Sequence, residues 1–222
     1  MISLLAAAVM LQTSQLRPDP GIEFAEKADK AMKQPTCTEE FKSFVLGYSL
    51  QRARGIASIT TDELTRAHLL LCGQLAAIAD DEIGKQILEQ ASLMKYLDGV
   101  QPPNETARII CVNSIKTAAA KDKYSKGDIG WSFSAGLIAG DLTFYLLSSE
   151  IAGSSDALEE LIAMTLIKAD LLGKLKPGAK LETCASQMRS LGSLAKTKSK
   201  SERIKAPTRT LLDNFLAINP AK

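Results

Sequence analysis

Apolar residues recur three and four positions apart in segment after segment of this chain, from Ile22 to Ile218, and residues that start or stop helices bracket each run. That period gathers side chains on one face of an α-helix, so each segment has a stripe that only another helix can cover. The alphabet agrees: 30 Leu and 29 Ala stand against 4 Val, 4 Tyr and 1 Trp, which leaves few residues that favour strands. Ile (17) and Thr (14) are the exceptions, and they fall within helical patterns or at helix starts. A chain of 222 residues can bury one sizeable core and is too short for two large domains. The expectation is an all-α fold, a single helical bundle of about seven core helices plus short terminal helices.

The starts and stops give the order. Gly21 to Lys33 pairs Glu23 with Lys27 and Glu26 with Lys30 around a weak stripe, and Pro35 stops it. Thr36 with Glu39 reads as a capping box opening a helix with Phe41, Phe44, Val45 and Tyr48, and Thr60 with Glu63 repeats the device. Asp80, Asp81 and Glu82 bring negative charge to the start of a helix whose seam is Ile83, Ile87, Ala91, Met94 and Leu97. Asn104 is the expected cap of the next, which bears Ala107, Cys111, Ile115 and Ala118. Ile129 to Ser149 is the least amphipathic stretch and reads as the most buried helix, wrapped by the others. Ser155 or Asp156 opens a helix with Leu158, Leu161, Ile162, Thr165, Ala169 and Leu172 inward, and Leu181, Cys184, Ala185, Met188, Leu191 and Ala195 stripe the one after. Lys196 to Lys205 alternates basic and small polar residues without a period and reads as a solvated linker. Leu211, Leu212, Phe215 and Ile218 suggest a terminal helix that docks back. The organisation expected is a leader over 1–15, a helical domain over 22–195, a basic linker over 196–207 and a C-terminal helix and tail over 208–222.

Ile2 to Leu11 is an uncharged apolar run of ten residues before polar Gln12 to Gln15, the length of a signal-peptide core and too short to span a bilayer. No Lys or Arg precedes it, so a short N-terminal helix or a misplaced start codon is the alternative. Cys37, Cys72, Cys111 and Cys184 are even in number and widely spaced, as expected for two disulfides in an oxidising compartment. Spacing alone leaves three connectivities open. If the core helices run alternately up and down from Cys37, then Cys37 and Cys184 share one end of the bundle, while Cys72 and Cys111 differ in height by only about 6 Å. Sequential pairing leaves a mismatch of roughly 12 Å, so the nested pairing of Cys37 with Cys184 and Cys72 with Cys111 is expected. Sequential pairing is the alternative, and four buried thiols acting as small hydrophobes is a third reading. No C-x-x-C occurs, which argues against a zinc ribbon or thioredoxin-like site.

The formal charge of +2 does not suggest a nucleic-acid partner. Residues 1–111 carry 11 basic and 14 acidic groups and residues 112–222 carry 16 and 11, the excess lying mostly near the C-terminus. His68, the single histidine, precedes Cys72 by four residues, so both side chains can share a helix face. Two ligands do not complete a zinc site, and the expectation is a histidine on the helix surface. Glu39 and Glu40, Asp80 to Glu82, and Glu159 and Glu160 each sit at a helix start, where the dipole accounts for them. Asp141 interrupts an apolar helix and needs a hydrogen-bonding partner if buried. Gly136 and Gly140 of that helix form a small-residue packing face; Asp141 costs about 2.5 to 3.5 kcal/mol mid-membrane, which favours a close-packed helix within a core. Lys196, Lys198, Lys200, Arg203 and Lys205 lack interleaved aromatics, as a linker would.

No Walker loop, nucleophile elbow, dinucleotide fingerprint, EF-hand or H-E-x-x-H occurs. The sequence therefore leads to an exported protein, periplasmic or secreted, that binds another protein and is not an enzyme. No catalytic residue, cofactor or metal ligand is assigned. The partner expected is an unidentified protein, with no nucleic acid and without membrane contact as its main mode. An enzyme with an unfamiliar site near Asp141 or His68 is the alternative, and a membrane-associated helical protein is another.

Overall fold

A computed structural model describes residues 20–58, 63–93 and 103–218 of the chain. Ten α-helices order them: α1 Pro20–Met32, α2 Glu39–Ile56, α3 Glu63–Ala79, α4 Asp81–Leu93, α5 Pro103–Ala120, α6 Gly127–Ala152, α7 Asp156–Lys174, α8 Glu182–Ser193, the single turn α9 Lys200–Arg203, and α10 Lys205–Ala217. The expected leader, the cap at Thr60, and Met94 and Leu97 lie outside the described residues.

Local chemistry sets several of the starts. Ser155 caps α7 by accepting a hydrogen bond from the Leu158 amide at 3.2 Å, and Asp80 caps α4 by accepting one from the Ile83 amide at 3.3 Å. The cap of α2 is Thr38, which accepts from the Phe41 amide at 3.2 Å, and not Thr36. A tight turn closed by the Cys37 amide on the Gln34 carbonyl takes up Thr36, so the helix begins two residues later. Pro103 occupies the first position of α5, where its missing N–H costs nothing, and Asn104 therefore lies inside the helix that it was expected to cap.

The buried side chains form two clusters, and α2 contributes to both. Phe41, Phe44, Val45 and Tyr48 join residues of α1, α6, α7, α8 and α10 in the larger cluster. Leu46, Leu50 and Ala53 join residues of α3, α4 and α5 in the smaller one. Serving two cores, α2 is the most enclosed helix: 14 of its 18 residues are buried, against 14 of 26 in α6. The expectation that α6 would be the most buried element is thereby corrected. Its polar residues Ser43, Ser49, Gln51 and Arg52 are buried along with the apolar ones.

Where α2 and α6 meet, their backbones touch. A β-carbon on Gly136 would collide with the Phe44 carbonyl oxygen, one on Gly47 with the Phe133 carbonyl oxygen, and one on Gly140 would stand 2.7 Å from the Tyr48 carbonyl oxygen. The small-residue face read from the sequence is the contact that lets these two helices cross closely. No helix among the described residues is long and apolar enough to cross a membrane.

The C-terminal helix docks as expected. The Phe215 ring of α10 stacks on Phe44 with 3.6 Å between centroids and lies 6.2 Å from Trp131. The stretch from Lys196 to Lys205, expected as a solvated linker, is instead folded: Leu194–Lys196 is a 3-10 turn, α9 follows, and α10 starts at Lys205, within the range assigned to the linker. Its anchor is Glu159 on α7, whose carboxylate accepts from the Lys200 amide at 2.7 Å and the Ser201 hydroxyl at 2.6 Å.

No pair among the four cysteines stands at disulfide distance, so the expected stapling by Cys37–Cys184 and Cys72–Cys111 is not supported. The nested grouping survives only as shared surroundings: Cys37 and Cys184 pack with the larger cluster, Cys72 and Cys111 within the smaller. The height argument fails because equal height does not make helices lateral neighbours. The Cys72 helix α3 and the Cys111 helix α5 each pack chiefly on α2 and α4, and α2 takes the central place that an alternating bundle leaves empty.

Candidate functional site

Helix α7 presents apolar side chains on more than one side. Ile162, Leu166, Ala169 and Leu172 are buried against the core with Thr165, as a helix docked along one stripe requires. On the opposite side Leu161, Met164, Ile167 and Leu171, with Leu175 just past the helix end, are between 47% and 60% exposed. Their spacing of three, three, four and four residues aligns them as a continuous outer stripe. Sequence reading placed Leu161 with the buried stripe; the structure puts it on the outer one. The signal was present in the residues, since α7 has too many large aliphatics for a single face, but periodicity does not say which of two stripes meets the core.

Behind α7 lies the one buried carboxylate singled out from the sequence. Asp141 on α6 is 7% exposed, and its Oδ1 accepts a hydrogen bond from the Gln51 amide at 2.5 Å and a longer one from the Arg54 guanidinium at 3.4 Å. Burial raises its carboxyl above the ordinary range, while the Gln51 hydrogen bond and the charges of Arg54 and Lys168 pull the other way. Its hydrogen bonds join α2 to α6, and the Lys168 charge reaches it from α7. The nearby Tyr145 hydroxyl is likewise raised by burial and by the Asp141 charge, and Thr165 of α7 hydrogen-bonds it. The arrangement satisfies a buried acid and pins three helices.

The other residues of interest are dispersed. His68, expected on the surface, is buried on α3, as is Cys72 on the same helix. Burial pushes the Cys111 and Cys184 thiols up to about 12, the charge of Cys72 adding to the first, so both are poor nucleophiles. The acidic clusters serve helix starts and ion pairs: Glu39 bonds Lys42 and Lys123, Asp81 bonds Lys85, and Asp80 and Glu82 share Lys121. Lys205 bonds Glu150 at 3.0 Å, which removes one of the five cations from the basic stretch as a free surface charge. Among the described residues, no group of three or more His, Cys, Asp or Glu side chains is disposed to hold a metal ion.

Compared with known proteins, the chain matches no family model, no curated protein and no solved structure.

Proposed function

We propose that this chain is a binding protein without catalytic chemistry, and that its working surface is the outer face of α7. The observation that carries the reading is the outer stripe itself, five large aliphatic side chains held about half exposed on a well-anchored helix. Contiguous apolar surface of this kind is uncommon on a monomer and marks contact sites. Covering a half-exposed Leu, Ile or Met contributes about 1 kcal/mol at ~25 cal/mol per Å², so five together supply a useful share of a protein-protein contact before its association cost. The hydrogen bonds of Glu159 with Ser201 and of Thr165 with Tyr145 tie the helix beneath the stripe to its neighbours, which keeps the surface preorganised.

Export to a periplasmic or extracellular space is part of the same proposal and rests on the apolar run Ile2 to Leu11. With no cysteine pair at disulfide distance, the cysteine count no longer supports it. The binding reading is tested by affinity capture from the native cell extract with the wild-type chain and with Leu171→Glu. Loss of the captured protein on substitution supports the α7 face, whereas capture that is unchanged by Leu171→Glu and by Met164→Glu refutes it. Export is tested by N-terminal sequencing of secreted material: a start between about residues 12 and 22 is expected, and recovery of Met1 refutes cleavage.

A further inference from the structure

The outer stripe of α7 is nearly its own mirror along the helix, and its charges are not. Leu161 and Leu175 lie equally far from position 168, and Met164 and Leu171 flank Ile167 and Lys168. Reversing the helix direction therefore lays large aliphatic side chains over large aliphatic side chains for the roughly 21 Å from Leu161 to Leu175. The exposed charges differ between the ends: Asp156 and Glu160 stand at the start of the helix, and Lys174, Lys176 and Lys180 at and beyond its end. A copy lying parallel would set acid against acid and base against base, while an antiparallel copy sets each acidic end against a basic one.

Resting on the reading of α7 as the binding face, we propose that the partner is a second copy of this chain, its α7 lying antiparallel across the first about a two-fold axis near Ile167 and Lys168. Such a contact is isologous and closed, so it makes a dimer and stops there. On a helical projection Glu160 and Lys174 fall on the same flank of the stripe, and a two-fold of this kind brings like flanks together. Glu160 of one copy thus approaches Lys174 of the other, although Lys174 also bonds Asp170 of its own helix at 2.5 Å. Lys168, exposed on the other flank of the stripe and within electrostatic reach of Asp141, comes near its own counterpart at the axis, the one like-charge approach of the arrangement. Exposed ion pairs of this kind set orientation and register more than strength, which the aliphatic stripe supplies.

Sedimentation equilibrium of the full chain tests the pairing. A dimer is expected, with Leu171→Glu weakening it by roughly 100-fold while the circular dichroism spectrum keeps its helical form. Glu160→Lys alone weakens the dimer, and adding Lys174→Glu with Lys176→Glu restores it. Oxidative cross-linking reads the direction: Ile167→Cys links to its own copy, and Met164→Cys links to Leu171→Cys. A Met164→Cys chain that links to itself and not to Leu171→Cys overturns the antiparallel geometry. A chain that remains monomeric at about 100 µM overturns self-pairing; loss of capture by Leu171→Glu would then leave the α7 face as a site for a different protein, and unchanged capture would remove both. If the full chain is monomeric but pairs once residues 1–19 are removed, the occupant is the chain's own N-terminal run, and the proposal fails.

Discussion

Glu159 on α7 holds Ser201, 42 residues further on, by two hydrogen bonds to the same carboxylate oxygen, from the Ser201 hydroxyl at 2.6 Å and its backbone amide at 3.1 Å. The other oxygen accepts from the Lys200 amide at 2.7 Å. One acidic side chain thus satisfies the opening amides of α9 and fastens the path between α8 and α10 to the middle of the fold. Burial alone would raise its pKa, yet these hydrogen bonds prevail and hold it down to about 2 from an ordinary 4.5.

The sign of the resulting pH dependence follows. A carboxylate held below its ordinary value contributes stability that is fully present above about pH 4.5 and fades as pH falls towards 2. Wild-type Tm should therefore fall more steeply between pH 5 and pH 2 than the Tm of Glu159→Gln. At pH 7 the variant should lose about 1 kcal/mol, a Tm decrease of roughly 2–4 °C. Parallel pH profiles in thermal melts would disprove the anchoring role.

Asp141 has the opposite sign. Its raised carboxyl contributes stability that is present below the ordinary value of 3.8 and lost as pH rises through the folded-state value. Asp141→Asn keeps an oxygen for Gln51 without the buried charge, so its Tm at pH 7 should equal or exceed wild type and vary less with pH above 4. Asp141→Ala leaves the Gln51 amide buried without its acceptor and should cost about 2–4 kcal/mol in urea unfolding. An alanine variant as stable as the asparagine one would show that the node does not pin the helices.

The α2–α6 crossing predicts a large contrast among glycine substitutions. Gly136→Ala forces a methyl group into the Phe44 backbone, and two packed helices must separate to admit it, so a loss of about 3 kcal/mol or more is expected. Gly127 has φ of +59° with nothing near its missing β-carbon, so Gly127→Ala should cost only the left-handed penalty of about 1–2 kcal/mol. Urea midpoints that rank the two variants the other way would refute the close crossing.

Thiol titration checks the state of the cysteines. Without reductant, the unfolded chain should react at four thiols, and the native chain at pH 8 should react slowly and first at half-buried Cys37. The buried Cys111 and Cys184 thiols, raised to about 12, remain protonated there and wait for unfolding. A disulfide-linked peptide recovered under non-reducing conditions would contradict the separation of the cysteines.

The sequence by itself determined the all-α class, most helix positions and many inward stripes, because helix periodicity and caps act within a few residues. Ser155, Asp80 and the run from Leu181 to Leu191 stand as read, and so do the burial of Asp141 and the close approach at Gly136 and Gly140. Only the tertiary structure decided which neighbour covers each stripe. It set α2 between two clusters, buried His68, left the stripe of Leu161, Met164, Ile167, Leu171 and Leu175 outside, drew Lys200 and Ser201 onto Glu159, and brought no two cysteines to disulfide distance. A helical pattern states which side chains share a face; what that face meets depends on segments far along the chain, whose arrangement no local spacing encodes.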